Sequence, residues 1–293
     1  DACDSPDVLK AVEAAEKSRA APLRLAALQI VARRAPERAL PIVRRLATDG
    51  SEPEQKAAFM SMAQMQGPEK PKLLAAALDQ LPAGKVQPGA QLELTEAAEK
   101  SDAPAVKARW AKQQAAWKAS DNELASYSFA LAGGHPGRGA REFYENPVLP
   151  CARCHRINAD GGEAGPDLTT IGARKDPQYL LESIILPNKH IAEGFAVLTL
   201  TLKNGTTETG PLASEDASKI TLKRADGGTV DIPKAQLQTR AMAPSSMPDI
   251  YRQVFTRAQL RDVIAFLKVL TTADTGMNEG GQPRALQSAP KET

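Results

Sequence analysis

LPCARCHRINADGGEAGPDLTTIG (149–172) sets Cys151 and Cys154 either side of two residues and puts His155 directly after the second. The whole chain holds three cysteines and three histidines. For that composition a chance CxxCH arises with a probability of about 3 in 10,000, so the pattern asks for a chemical cause. Three chemistries use such spacing. A zinc site needs a fourth ligand, and Cys3, His135 or His190 would have to supply it without a second CxxC or HxxxH pair. A redox-active dithiol needs its CxxC at a strand-to-helix junction, whereas here a short helix precedes the motif and a glycine-rich loop follows. In covalent haem attachment the spacing has a direct cause. The two thiols add across the vinyl groups of a porphyrin, and the adjacent His155 falls under the iron as its proximal ligand.

Length and composition bound what surrounds the motif. At 293 residues with 42% hydrophobic content, the chain is expected to be soluble and globular, in about two domains. Lys and Arg total 37 against 35 for Asp and Glu, and the signs alternate along the chain, so no electrostatic footprint for nucleic acid is present. No apolar run approaches the ~20 residues of a membrane helix. The N-terminal DACDSPDVLK has neither a basic nor an apolar leader region, as expected of a mature chain already stripped of an export signal. Cys3 has no evident mate, which argues against a disulfide framework.

Residues 7 to about 132 are Ala-rich and read as consecutive short helices. Apolar residues recur at helical spacing in 23–34 (Leu25, Leu28, Val31), 54–65 (Ala58, Met62, Met65) and 72–81 (Leu74, Leu78, Leu81). Met60, Met62 and Met65 are read together as core filler rather than a soft-metal site. Pro22, Pro36, Pro53, Pro68, Pro82 and Pro104 recur at intervals of about 14 to 22 residues, the rhythm of helix, turn, helix. The pattern resembles HEAT repeats, with a non-repetitive helical bundle as the alternative.

LAGGHPGRG (131–139) breaks helices and marks a boundary. The expected domains are 1–134, a helical module, and 135–273, the functional domain, with 274–293 a tail too poor in apolar residues to order itself. In the second domain GAREFYEN (139–146) is a short helix leading into the motif. TRAQLRDVIAFLKVL (256–270) is a helix with Thr256 as N-cap and Leu260, Val263 or Ile264, Leu267 and Leu270 on one side. Between them, FAVLTLTL, the Asn204-Gly205 turn, TTETGPLA, KITLK, the Asp226-Gly227-Gly228 turn and TVDI predict a small antiparallel β insert over about 195–240.

The runs CARCHRINADGGEAGPDLTTIGARK and YLLESIILPNKHIAEGF, the insert, SSMP and LRDVIAFL resemble the haem-binding CxxCH domain abundant in Planctomycetes and Verrucomicrobia. That domain is a variant of the class I cytochrome c fold, and the resemblance covers roughly residues 137–271. It implies a mainly α protein: a HEAT-like α-solenoid followed by a class I cytochrome c-like domain carrying the β insert. In that family the domain often follows HEAT-like repeats and a propeller similar to PQQ-dependent sugar dehydrogenases. This chain would then be a fragment of such a polypeptide or a member without the propeller.

The resemblance also implies roles. Gly165-Pro166-Asp167-Leu168 matches the segment whose proline carbonyl accepts the Nδ1–H of the proximal histidine, which fixes the ring and raises its basicity. Arg174 is either a partner for a haem propionate or an exposed loop arginine. The sixth iron ligand is sought among Met242, Met247, Met277 and His190. The family carries it in a Met-Pro dipeptide on the loop before the last helix, and Met247-Pro248 meets both conditions; Met242 ranks second and His190 third. Together these expectations describe a c-type cytochrome with one covalently attached haem c, His155 and Met247 as iron ligands, and no catalytic residues. It would transfer single electrons in the periplasm or elsewhere outside the cytoplasm. Its redox partner would be a protein such as a PQQ-type sugar or alcohol dehydrogenase, fused or separate. The rival expectation is a haem enzyme or a gas or redox sensor with an open sixth position, His135 or His190 acting distally.

Overall fold

Proline opens most of the early helices. Pro22 stands at the start of α2 (Ala21–Arg34), Pro36 begins α3 (Pro36–Asp49), Pro53 enters α4 (Glu52–Gln64) and Pro104 begins α7 (Pro104–Lys118). In the first turn a proline forfeits no helical hydrogen bond and its φ is already helical. Four of the six prolines that break the sequence pattern are therefore helix starts, while Pro68 is an N-cap and Pro82 lies in a turn. The remaining helices of this half are α1 (Pro6–Glu16), α5 (Glu69–Gln80) and α6 (Gln91–Glu99).

The computed structural model describes residues 6–224 and 228–273, and the chain is mainly α with small antiparallel sheets. Cys3, Met277, the tail from 274 and the Asp226-Gly227 part of the second turn lie outside the described residues. The chain divides into two compact units, Asp1–Gly134 and His135–Thr293.

In the first unit α2 packs on α4 and α4 on α6, while α3 packs on α5 and α5 on α7. Between these two rows Phe59, Met62, Met65, Leu74, Leu78 and Leu94 are buried, each worth about 1.5–3 kcal/mol of removed apolar surface. Met60 does not join them. One helical step (about 100°) from Phe59 turns it outward, and it is exposed. Ser51 precedes α4, and its backbone N–H donates to Glu54 at 2.9 Å, half of a capping box.

The second unit is built on the crossing of α8 (Pro136–Glu145) with α12 (Arg257–Val269). The crossing is close because Gly139 has no side chain; a Cβ there would collide with the Asp262 carbonyl and lie 2.8 Å from Phe266 Cβ. Phe143 and Phe266 then meet with ring centroids 5.6 Å apart. His135 caps α8, its Nδ1 accepting from the N–H groups of Gly137 and Arg138 at 3.1 and 3.3 Å. Buried Asp262 accepts from the His135 N–H at 2.7 Å and from Arg138 Nε at 2.6 Å. Thr256 caps α12, exchanging bonds with Gln259 at 2.9 and 3.2 Å. Shorter helices α9 (Ile171–Arg174), α10 (Pro177–Ile185) and α11 (Tyr251–Val254) fill in around this pair.

A two-stranded ladder, β1 (Arg156–Ile157) with β2 (Asp160–Gly161), follows the cysteine motif. The larger sheet contains β3 (Val197–Leu202), β4 (Thr207–Glu215), β5 (Lys219–Lys223), β6 (Thr229–Pro233) and β7 (Leu237–Met242), all antiparallel in the order β6-β5-β4-β3-β7. Leu198, Leu200, Ile220, Leu222 and Ile232 form its own core. The sheet runs two residues beyond the expected insert because β7 pairs with β3, a strand that LQTRAM does not announce. Five of its six residues are exposed, so no alternation marks it.

Candidate haem site

Pro150 ends an extended segment, and Cys151–Arg153 then forms a single 3-10 turn. Arg153 N–H donates to the Pro150 carbonyl at 3.1 Å, while the Cys154 and His155 N–H groups both donate to the Cys151 carbonyl, at 3.1 and 2.9 Å. Both cysteines are free thiols and half-buried. Burial pushes the Cys151 thiol up to about 12, and the hydroxyl of Tyr251, on α11, hydrogen-bonds to it. Burial pushes the Tyr251 phenol upward as well.

The glycine-rich loop after the motif folds back under it. Gly162 N–H donates to the Ala152 carbonyl at 2.9 Å, Gly165 N–H to the Cys154 carbonyl at 2.8 Å and Leu168 N–H to the Arg156 carbonyl at 2.8 Å. The loop therefore brings Pro166 against the His155 ring, with Nδ1 2.9 Å from the Pro166 carbonyl. A carbonyl is acceptor only, so Nδ1 carries the proton and Nε2 keeps the ring's free lone pair. Burial pulls the imidazole pKa below its ordinary value, against the Pro166 carbonyl, which favours the charged form. The ring is thereby kept neutral, the form that binds iron.

Met247 is half-buried on the segment between β7 and α11, and its N–H donates to Ser245 Oγ at 3.2 Å. Tyr251, four residues on, reaches Cys151, so the far end of the Met247 segment is anchored at the motif. Met242 is 62% exposed at the end of the edge strand β7, which leaves it without a pocket. His190 is engaged elsewhere, with Nε2 3.2 Å from a Glu182 carboxylate oxygen and its ring stacked on Tyr179. His135 is spent on capping α8. Arg174 fastens the loop beyond Pro166, donating to the Asp167 carbonyl at 3.1 Å and the Thr170 carbonyl at 3.4 Å.

Tyr251 carries no motif and escapes sequence reasoning; the one available signal is that it is an aromatic residue between Met247 and the last helix. Among the described residues no three His, Cys, Asp or Glu side chains are grouped so as to hold a metal ion. Haem c fits what is present: two free thiols on one turn, then a half-buried imidazole whose proton-bearing nitrogen is already tied down.

A CxxCH turn whose histidine is oriented by a following proline carbonyl is the donor set of covalent haem attachment. Residues 138–198 match the family model for cytochrome c, from the first turn of α8 to the start of β3. The match supports a cytochrome c haem-binding domain over that stretch, and a domain of that kind implies a covalently bound haem c. No curated protein matches the chain. Among the described residues no helix is long and apolar enough to cross a membrane.

Proposed function

We propose that the chain is a monohaem c-type cytochrome that passes single electrons outside the cytoplasm, with His155 and Met247 as the residues that would ligate the haem iron. Cys151 and Cys154 hold the group through thioether bonds, and the Pro166 carbonyl orients His155. Arg174 is the candidate propionate partner, in exchange for its present backbone acceptors. Bound haem c supplies a one-electron iron couple. With His155 and Met247 both on the iron, no position would remain there for a substrate. The electron donor in this reading is a dehydrogenase of the PQQ-dependent sugar or alcohol type, and the first unit is a HEAT-like scaffold that presents the haem domain to it.

The observation that carries the reading is the 2.9 Å approach of His155 Nδ1 to the Pro166 carbonyl directly after two free thiols. The capping of α8 by His135 and the pairing of His190 with Glu182 weigh against either histidine acting at an open sixth position. Expression with a c-type maturation system, followed by a reduced-minus-oxidised spectrum and carbon monoxide titration, tests it. A low-spin spectrum in both states, with slow or absent carbon monoxide binding, is the expected result. High-spin ferric haem, with the reduced form binding carbon monoxide at once, would favour the enzyme or sensor reading.

A further inference from the structure

The segment carrying Met247 lies beyond the matched residues 138–198, yet three hydrogen bonds tie it to them at one place. Asn188 Oδ1 accepts from the Ser245 N–H at 2.7 Å. Seven residues later, Arg252 donates to the Ile185 carbonyl from Nη2 at 2.9 Å and from Nε at 3.2 Å. Ile185 is the last residue of α10, and Asn188 stands three residues past it. Both ends of the segment are thus held by the same helix terminus, with Met247 between the grips.

The chemistry of the terminus suits this use. The last carbonyls of a helix have no partner within it and bear partial negative charge, so a guanidinium is both a donor and a matching charge there. Arg252 also lies 3.6 Å from the Asp249 carboxylate, an ion pair inside the gripped segment. At the other end the grip passes inward, since Ser245, held by Asn188, in turn accepts the Met247 N–H through its hydroxyl. Asn188 and Arg252 are both exposed, so neither is needed to fill a core.

We infer that Asn188 and Arg252 are positioning residues for Met247: the C-terminal end of α10 grips the distal segment at both ends and sets how tightly the methionine sulfur is held over the haem. The inference rests on the reading of Met247 as the distal ligand. A thioether is a weak ligand for ferric iron, so the backbone that carries it governs how often it lets go.

The test is the rate at which cyanide replaces the sixth ligand in the ferric holoprotein, read with the sulfur-to-iron charge-transfer band. Loss of one grip should raise the rate about fivefold to tenfold in Asn188→Ala and in Arg252→Ala, with the band weakened and the reduction potential lowered. Asn188→Asp keeps the acceptor oxygen and should exchange at close to the native rate. Amide hydrogen exchange at Ser245 and Met247 should quicken in Asn188→Ala while the global unfolding midpoint stays put. Met247→Ala is the reference and should lose the band and bind cyanide without delay. If Met247→Ala opens the site while Asn188→Ala and Arg252→Ala exchange at the native rate, the grip is refuted and the ligand assignment stands. If Met247→Ala keeps the native band and rate, the ligand assignment fails and the inference falls with it.

Discussion

His155 and Pro166, eleven residues apart, meet with Nδ1 2.9 Å from the carbonyl oxygen. The contact depends on Gly165 passing flat beneath the ring, since a Cβ on it would lie 2.7 Å from His155 Cε1 and 2.8 Å from Nδ1. The loop and the ligand are thus one packed unit.

Gly165→Ala therefore has to push either the ring or the loop aside. A loss of about 1–3 kcal/mol of holoprotein stability is expected, the usual cost of overpacking. The change should appear as a lower denaturation midpoint followed at the Soret band, together with a shifted potential. A native midpoint and potential would show that the ring does not need this approach.

Tyr144 places its hydroxyl in the interior with no hydrogen-bond partner among the described residues. Burial pushes its pKa up to about 12, with the Asp160 charge adding to the shift. A tyrosine in the unfolded chain ionises near its ordinary value of 10, so the stabilising difference is whole below that pH and is lost as pH rises toward the folded value. Tyr144→Phe should remove this alkaline component. It should also leave neutral-pH stability unchanged or raised by about 1 kcal/mol, since an unsatisfied polar atom is taken out. Denaturant melts at neutral pH and between pH 10 and pH 12 would check both statements.

Asp262 serves two donors at the start of α8, the His135 N–H and the Arg138 guanidinium. Asp262→Ala should cost about 2–3 kcal/mol, because it strands a buried N–H as well as breaking the pair. Arg138 is half exposed, so Arg138→Ala should cost less, about 1 kcal/mol. Equal losses in the two variants would mean that the ion pair, rather than the cap, fixes the helix start.

Met247→His should keep a low-spin haem and lower the reduction potential, because a thioether favours ferrous iron more than imidazole does. Met242→Ala should change neither spectrum nor potential, given its exposure on β7. Potentiometric titration of the two variants separates the candidates directly.

Much of this was legible where a residue type answers to a single physical demand. The proline-started helices, the Thr256 cap and the apolar sides Leu74, Leu78, Leu81 and Leu260, Val263, Leu267 follow from periodicity, and all six of those residues are buried. The CxxCH turn and the Gly165-Pro166 loop are legible because covalent attachment and ring orientation allow few alternatives. β7 was not, since a strand held by its pairing to β3 and exposed on both faces leaves no alternation to read. Tyr251, Asn188 and Arg252 were not either. Their roles come from carbonyls and thiols that approach from distant parts of the chain, and a polar surface residue looks the same in sequence whether or not such a partner arrives. The outward turn of Met60 does not follow from near-helical spacing alone, because Met60 and Met62 lie about 200° apart around α4.

The intact mass of the chain after passage through a c-type maturation system tests the central claim most directly. The account predicts the polypeptide mass plus one haem, retained after denaturation, and the bare polypeptide mass for the Cys151→Ala, Cys154→Ala double variant. An unmodified mass for the native chain, or a haem increment that survives loss of both cysteines, would contradict it.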